Sequence, residues 1–237
     1  NVRENLKGYF AAVTAMDANI GRILDHIEHL GLAENTLVFF MSDNGFSCGH
    51  HGFWGKGNGT FPLNMHDTSV KVPAIASHPG TIAEGVVCDA LLSGYDFLPT
   101  LLDYLQLKNP IEDKLAGRSF TPLLKGEGME GHEHVVVFDE YGPVRMIRTS
   151  EWKYVHRYPY GPHELYHLSE DPRERENLVD DPGYQKTVVS MRARLQDWFI
   201  EHVDPRRDGR PEAVTGYGQI DLAGPAGRGV AAFSPLP

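Results

Sequence analysis

Residues 36–45 read Thr36-Leu37-Val38-Phe39-Phe40-Met41-Ser42-Asp43-Asn44-Gly45, and this stretch decides the fold. Its first six residues form an apolar run rich in β-formers, which predicts a strand buried on both faces of a parallel sheet. The run stops abruptly at Ser42, so a carboxylate and an amide lie where the strand ends. In open α/β sheets, ligands bind outside the carboxyl ends of the strands. The sequence therefore predicts a ligand site at Asp43 and Asn44.

The residue types at this strand end indicate what the ligand is. Asp43 and Asn44 both offer oxygen, the donor atom that hard cations such as calcium and magnesium prefer. Lys56 follows in the glycine-flanked turn Gly55-Lys56-Gly57, which lets its ammonium group approach a bound anion. A cation and a lysine together indicate a site for a phosphate-like or sulfate-like group. A turn without a ligand is the alternative, because Asn-Gly is a common turn signal and a preceding Asp often only bonds the backbone.

Composition narrows the class of protein. The chain has 237 residues, enough for one large domain or for a domain with a small appendage. Its net charge of −10 argues against a nucleic-acid partner. No apolar run reaches membrane-spanning length, so we expect no membrane partner. The two cysteines, Cys48 and Cys88, do not make a disulfide framework, and the cellular compartment stays open.

The first half of the chain predicts an α/β layer structure. Apolar residues recur at spacings of three and four over residues 9–30, which predicts an amphipathic helix that stops at Gly31. A helix followed by a buried strand is half of a βαβ unit. Further predicted elements are a long loop rich in Gly and His over 46–69, a strand over 70–76 and a helix over 93–107. We assign residues 1–128 to an α/β core with a mostly parallel sheet flanked by helices.

A different pattern begins after residue 128. Short apolar segments separated by turn residues predict a small antiparallel sheet, with strands over 135–138, 144–149, 152–158 and 164–168. An apolar stripe with helical spacing over 184–203 predicts a helix that covers this sheet. We therefore assign residues 129–203 to a small α+β subdomain. Residues 204–237 are rich in Gly and Pro and are predicted to form an extended tail.

Several motifs, taken in their order and spacing, resemble type I sulfatases of the alkaline-phosphatase-like superfamily. They are Ser42-Asp43-Asn44-Gly45, His51-Gly52-Phe53-Trp54-Gly55-Lys56, Val70-Lys71-Val72-Pro73, Asp96-Phe97-Leu98-Pro99-Thr100-Leu101-Leu102, Gly117-Arg118-Ser119, Arg148-Thr149-Ser150-Glu151-Trp152-Lys153-Tyr154 and Glu164-Leu165-Tyr166-His167-Leu168. The match runs over roughly residues 9–203. The resemblance implies an α/β fold: the C-terminal part of an alkaline-phosphatase-like sandwich, followed by a small antiparallel-sheet subdomain with a covering helix.

The resemblance also implies roles for four residues. Asp43 and Asn44 look like the second half of the family's calcium site, with Mg²⁺ or Mn²⁺ as less favoured ions. Lys56 looks like the lysine that contacts the sulfate oxygens and stabilises charge on the leaving group. His51 occupies a place where many relatives carry a histidine before that lysine, and we give it an orienting role. A divalent ion and an ammonium group already in place stabilise the charge of sulfuryl transfer better than water does.

The nucleophile that the resemblance implies is missing from this sequence. In the family it is a formylglycine made from the Cys or Ser of a Cys/Ser-x-Pro-x-Arg motif. Neither Cys48 nor Cys88 has that context, and we interpret both as structural thiols. The paired aspartates that open the metal site, and the upstream lysine and histidine, are also absent. We therefore expect the C-terminal part of a sulfatase, completed by an N-terminal sulfatase segment or a second chain, and we expect the 237 residues alone to be inactive.

Two classes of function remain. The first is hydrolysis of a sulfate ester or sulfamate, with phosphonate monoester hydrolases and phosphodiesterases as rivals. Asp-Asn, where many of those rivals carry Asp-His, favours a sulfatase. The second is a catalytically dead binding module, which the missing nucleophile motif would explain. The substrate stays open among sulfated sugars, aryl sulfates and choline sulfate, and a homo-oligomer is compatible with the sequence.

Overall fold

The computed structural model describes residues 2–60, 62–139 and 142–210. The α-helices in these ranges are α1 (Val2–His29), α2 (Asp67–Val70), α3 (Phe97–Tyr104), α4 (Thr121–Leu124) and α5 (Gln185–His202). The strands are β1 (Val38–Met41), β2 (Ser47–Cys48), β3 (Trp54–Gly55), β4 (Ala74–Ser77), β5 (Val135–Phe138), β6 (Val144–Arg148), β7 (Trp152–Arg157) and β8 (Glu164–His167). No helix within the described ranges has the length and the apolar character needed to cross a bilayer.

Helix α1 confirms the predicted N-terminal helix and extends it towards the N-terminus. It ends before Gly31, whose φ of +67° is a left-handed conformation that glycine adopts without strain. The apolar stripe is only partly covered by the rest of the described chain. Phe10 is 59% exposed and Ile23 is 61% exposed, so the helix packs loosely against the other described elements.

The direction of the strand pair at β1 differs from the prediction. We predicted parallel neighbours, but β1 pairs with β4 in the antiparallel direction, with Val38 opposite Ser77 and Met41 opposite Ala74. The predicted strand over 70–76 begins later, at Ala74, because residues 67–70 form α2. The four residues of β1 are half-buried rather than fully buried.

The C-terminal sheet and its covering helix agree with the prediction. Strands β5, β6, β7 and β8 pair in sequence order, each antiparallel to the next. One face of this sheet packs on α5, and the core there contains Val136, Ile147, Tyr154, Leu165, Met191, Leu195 and Phe199. The other face packs on the segment 63–65, through Leu63, Met65, Val144, Met146 and Val155. The small sheet is therefore covered on both sides.

The start of α3 is held by a fully buried carboxylate. Asp96 is 0% exposed, and its Oδ2 accepts a hydrogen bond from Ser93 N–H at 2.8 Å. Its Oδ1 accepts one from Arg118 N–H at 2.9 Å, and His132 Nε2 lies 2.9 Å from both oxygens. Asp96 thus holds the start of α3, and it also anchors the connector that leads to β5.

The division into residues 1–128, 129–203 and 204–237 stays a prediction. Hydrogen bonds such as that between Asp96 and His132 cross the first of these boundaries. In the predicted tail, Pro205–Arg207 forms a single 3₁₀ turn, and residues 211–237 lie outside the described ranges.

Candidate active site

The turn after β1 presents the two predicted metal ligands. Asp43 is exposed and Asn44 is half-buried. Asp43 Oδ1 accepts the Asn44 N–H at 2.9 Å, and Ser42 Oγ donates to the Asn44 carbonyl at 2.7 Å. These bonds shape the turn, as the turn-only alternative expects. Within the described ranges, no hydrogen bond engages Asp43 Oδ2 or the Asn44 side-chain oxygen, so both can still face a cation.

Gly45 fixes this turn against the chain before β4. Its N–H donates to the Ser69 carbonyl at 2.8 Å. A Cβ at this position would lie 2.2 Å from the Thr68 carbonyl oxygen, so only glycine allows such a close approach. Ser47, which is 0% exposed, adds a side-chain hydrogen bond to Thr68 Oγ1 at 2.6 Å. The turn therefore rests on residues 68 and 69.

Lys56 lies in a second turn, directly after β3. Gly55 has a φ of +144°, and Gly59 N–H donates to the Lys56 carbonyl at 2.9 Å. The Lys56 side chain is exposed, and no polar group of the described ranges pairs with its ammonium group. The backbone of this lysine is therefore fixed while its charge remains available to an anion.

His51 stacks on a histidine that the sequence did not single out. The His51 and His66 rings lie 3.7 Å apart with an angle of 4° between their planes. His51 has a φ of +55°, which is uncommon for a residue other than glycine. Burial lowers the pKa of the His51 imidazole, and the neighbouring His66 lowers it further. His51 is therefore a neutral donor or acceptor near neutral pH.

Buried charges lie beneath this pair of histidines. The Lys153 side chain is 0% exposed; its ammonium group pairs with Asp67 and Glu174 and donates to the Met65 carbonyl at 3.0 Å. Glu174 Oε2 accepts the Asp67 N–H at 2.7 Å and lies 3.7 Å from His66 Nδ1. The network ties the segment 65–67 to β7 and to the loop that follows β8.

The donor atoms of His51, His66 and Glu174 lie within 4.8 Å of one another, a spacing that a metal ion could span. Two features argue against a metal there. The imidazole rings are face to face, so their in-plane lone pairs do not converge on one point. Both Glu174 oxygens already accept hydrogen bonds, from Lys153 and from the Asp67 N–H. We interpret this cluster as electrostatic support for His51.

The Glu174 network predicts a loss of stability in acid. Burial raises the pKa of this carboxyl, but His66, Lys153 and the Asp67 N–H outweigh burial and lower it from 4.5 to about 2. The stabilisation is therefore complete above pH 4.5 and is lost as the pH falls from there towards the folded-state pKa of about 2. We expect a contribution of about 3 kcal/mol.

Urea unfolding at about pH 6 and about pH 3 measures this loss. Glu174→Gln is the control, because it cannot ionise, and its stability should fall less between the two pH values than that of the wild type. An equal fall in both proteins would contradict the prediction.

The structure brings some of the four predicted residues together and keeps others apart. The Asp43–Asn44 turn and the Lys56 turn both attach to the segment 64–69. His51 contacts the same segment at His66. Within the described ranges, Asn44 N–H bonds to Asp43 Oδ1, but no hydrogen bond or ion pair joins this turn, His51 and Lys56 to one another directly. Their roles stay predictions, and the segment 64–69 is the support that they share.

Sequence reasoning missed the residues of this support. Asn64, His66 and Asp67 lie in what we predicted as a long loop, and Lys153 and Glu174 lie far along the chain. The available signal was the run Leu63-Asn64-Met65-His66-Asp67, in which apolar and polar residues alternate directly before a predicted strand. Such alternation predicts burial of Leu63 and Met65 on one face, but it would place Asn64 on the exposed face, whereas the structure buries all three.

Comparisons with known proteins agree with this architecture. Residues 49–201 match the protein family described as N-sulphoglucosamine sulphohydrolase, C-terminal. An N-acetylglucosamine-6-O-sulfatase from Bacteroides thetaiotaomicron is 29% identical over 85% of this chain and 37% of its own length.

Two solved structures are similar in three dimensions. One holds its substrate D-glucosamine-2-N,6-O-disulfate; it has a TM-score of 0.74 and 28% identity, over 86% of this chain and 42% of that one. The phosphonate monoester hydrolase of Agrobacterium radiobacter has a TM-score of 0.71 and 26% identity, over 83% of this chain and 41% of that one.

The chain spans about two-fifths of the length of the relatives that it matches. Its neighbours have the alkaline-phosphatase-like fold, as the sequence predicts. The family match covers well over half of the 237 residues. The chain therefore belongs to the sulfatase family represented by the C-terminal part of N-sulphoglucosamine sulphohydrolase.

Proposed function

We propose that this chain forms the C-terminal part of the active site of a sulfatase that hydrolyses the sulfate ester or sulfamate of a sugar. The observation that carries the proposal is the shared support of two turns. One turn presents the oxygens of Asp43 and Asn44, the other presents the ammonium group of Lys56, and both attach to the segment 64–69. A cation site and a lysine held on one support suit a tetrahedral anion between them.

The donor set fits a calcium ion. Asp43 and Asn44 supply a carboxylate and an amide oxygen, both hard ligands, from a turn whose backbone is fixed by Gly45. Calcium takes about six to eight oxygen ligands, so these two residues would hold only one side of it. When bound, the ion would supply positive charge beside the sulfate group. The remaining ligands and the formylglycine would come from sequence outside these 237 residues.

Lys56 and His51 would act on the sulfate from this chain. The Lys56 ammonium would bind the sulfate oxygens and stabilise negative charge on the leaving oxygen. His51, held by its stack on His66, would orient the substrate with a neutral imidazole nitrogen. We propose a sulfated sugar as the substrate for two reasons. One similar protein is an N-acetylglucosamine-6-O-sulfatase, and a similar solved structure holds a glucosamine disulfate as its substrate.

A phosphonate monoester hydrolase is the second candidate, and the similar enzyme of Agrobacterium radiobacter favours it. The test uses the enzyme that contains this chain, with kcat/KM measured on an aryl sulfate, an aryl phosphonate monoester, choline sulfate and sulfated glucosamines. We expect the sulfated sugars to give the highest value. A dominant value for the phosphonate would overturn the proposal.

Removal of the metal tests the calcium assignment separately. We expect a chelator to abolish turnover and calcium to restore it. Restoration by magnesium or manganese but not by calcium would contradict the calcium assignment. No turnover of any ester by the intact enzyme would favour the catalytically dead module instead.

A further inference from the structure

One buried amide joins the two turns of the proposed active site. Asn64 is 3% exposed. Its Nδ2 donates to the Gly57 carbonyl at 3.1 Å and to Thr60 Oγ1 at 3.0 Å, and it lies 3.3 Å from the Lys56 carbonyl. Its backbone N–H also donates to the Gly57 carbonyl, at 2.9 Å. Asn64 therefore bonds to the Lys56 turn through both the side chain and the main chain of Asn64.

The acceptor end of the same side chain leads to the other turn. Asn64 Oδ1 accepts a hydrogen bond from Ser69 Oγ at 2.7 Å. Ser69 is also 3% exposed, and its carbonyl accepts the Gly45 N–H at 2.8 Å. The path from the Lys56 turn to the Asp43–Asn44 turn thus runs through two buried polar side chains.

Asparagine is the side chain that this position requires. Its amide supplies two N–H donors for the Lys56 turn and one oxygen for Ser69. An aspartate side chain at this position would have no donors, and an apolar residue would leave the buried Ser69 hydroxyl without its acceptor, at about 1–3 kcal/mol.

We infer that Asn64 is a positioning residue, which fixes the main chain at Lys56, and so the root of its side chain, relative to the Asp43–Asn44 turn by acting through Ser69. Its catalytic consequence rests on the proposed function, whereas the mechanical link does not. Catalytic charges must be held to a fraction of an ångström to stabilise a transition state. Asn64 would set where the Lys56 side chain begins relative to the other turn, without touching the substrate.

Hydrogen exchange tests the link in the chain itself. In Asn64→Ala, the amides of Gly45 and Gly59 should exchange at least about tenfold faster, because the free energy of opening each turn falls. Ser69→Ala removes only the second half of the path, so Gly45 should respond more strongly than Gly59. The matched control is Thr100→Ala, which removes a buried side chain that is 0% exposed and whose hydroxyl bonds to Asp96 and Phe120 rather than to either turn.

Two results of that experiment would overturn the inference. One is wild-type protection of both turns in Asn64→Ala. The other is equal loosening of both turns by Thr100→Ala, which would reveal a general loss of stability rather than a local link.

Kinetics of the enzyme that contains this chain test the consequence. We expect Asn64→Ala to lower kcat by at least about tenfold while KM changes by less than about threefold, because misplaced charges weaken the transition state more than the ground state. Loosened turns with unchanged kcat would overturn the positioning role. If the wild type turns over none of the sulfates or phosphonates, the proposed function fails, and the exchange result still decides whether Asn64 joins the turns.

Discussion

Replacing Lys56 by alanine in the enzyme that contains this chain is expected to lower kcat by about 10²-fold or more, as the loss of one charge-stabilising group commonly does. The Lys56 side chain is exposed in a turn that Asn64 fixes. In the proposed function, its charge lies within reach of the leaving oxygen as negative charge develops there. KM should change much less than kcat, because the charge is larger in the transition state.

The choice of leaving group makes this test sharper. If Lys56 stabilises the leaving oxygen, its loss should cost more for a sugar sulfate than for a nitrophenyl sulfate, because a sugar alkoxide carries its charge less readily. Lys71→Ala is the matched control, since Lys71 is an exposed lysine in the same region. A decrease of only a few-fold would show that Lys56 does not touch the reacting group.

Replacing Lys153 by methionine is expected to lower the free energy of unfolding by about 3–5 kcal/mol. The Lys153 side chain is 0% exposed and pairs with Glu174, whose side chain is 2% exposed, and with Asp67, whose side chain is 21% exposed. Without the ammonium group, the buried Glu174 carboxylate loses an ionic partner that balances its burial. Urea unfolding of the chain near neutral pH measures the loss.

Two further variants separate this effect from a general one. Lys7→Met removes the exposed ion pair with Glu4 and should cost only about 0–1 kcal/mol. Lys153→Met combined with Glu174→Gln should recover part of the stability, because the unpaired charge is then gone. A loss below about 1 kcal/mol for Lys153→Met would contradict the prediction.

The sequence predicted the regular elements well where periodicity was long or turns were clear. Helices α1 and α5 follow from stripes with helical spacing, and the sheet from β5 to β8 follows from short apolar segments between turn residues. The prediction that β1 has parallel neighbours was wrong, because an apolar run indicates how deeply a strand is buried and not whether the adjacent strand is parallel or antiparallel. The predicted start of β4 was also wrong, because the preceding residues form the short helix α2.

The candidate site was predicted only where its residues are close in sequence. Asp43, Asn44, His51 and Lys56 fall within one short stretch, and the resemblance assigned their roles. Glu174 could not be connected with His66 because more than a hundred residues separate them and only the fold joins them. Asn64 carries no signal of its own, since an asparagine in a loop is usually a turn residue.

The segment 63–67 limits how the small C-terminal sheet can be exchanged between related proteins during evolution. Lys153 and Arg157 on β7 reach across to the carbonyls of Met65 and Leu63, so the small sheet recognises main-chain atoms directly beneath the candidate site. If recombination replaced this whole sheet with that of a relative, the new sheet would need cationic side chains at the positions of Lys153 and Arg157 on β7. Diversity should therefore accumulate at the outer end of the sheet and in its turns, while the strand under the site changes only together with its partner segment.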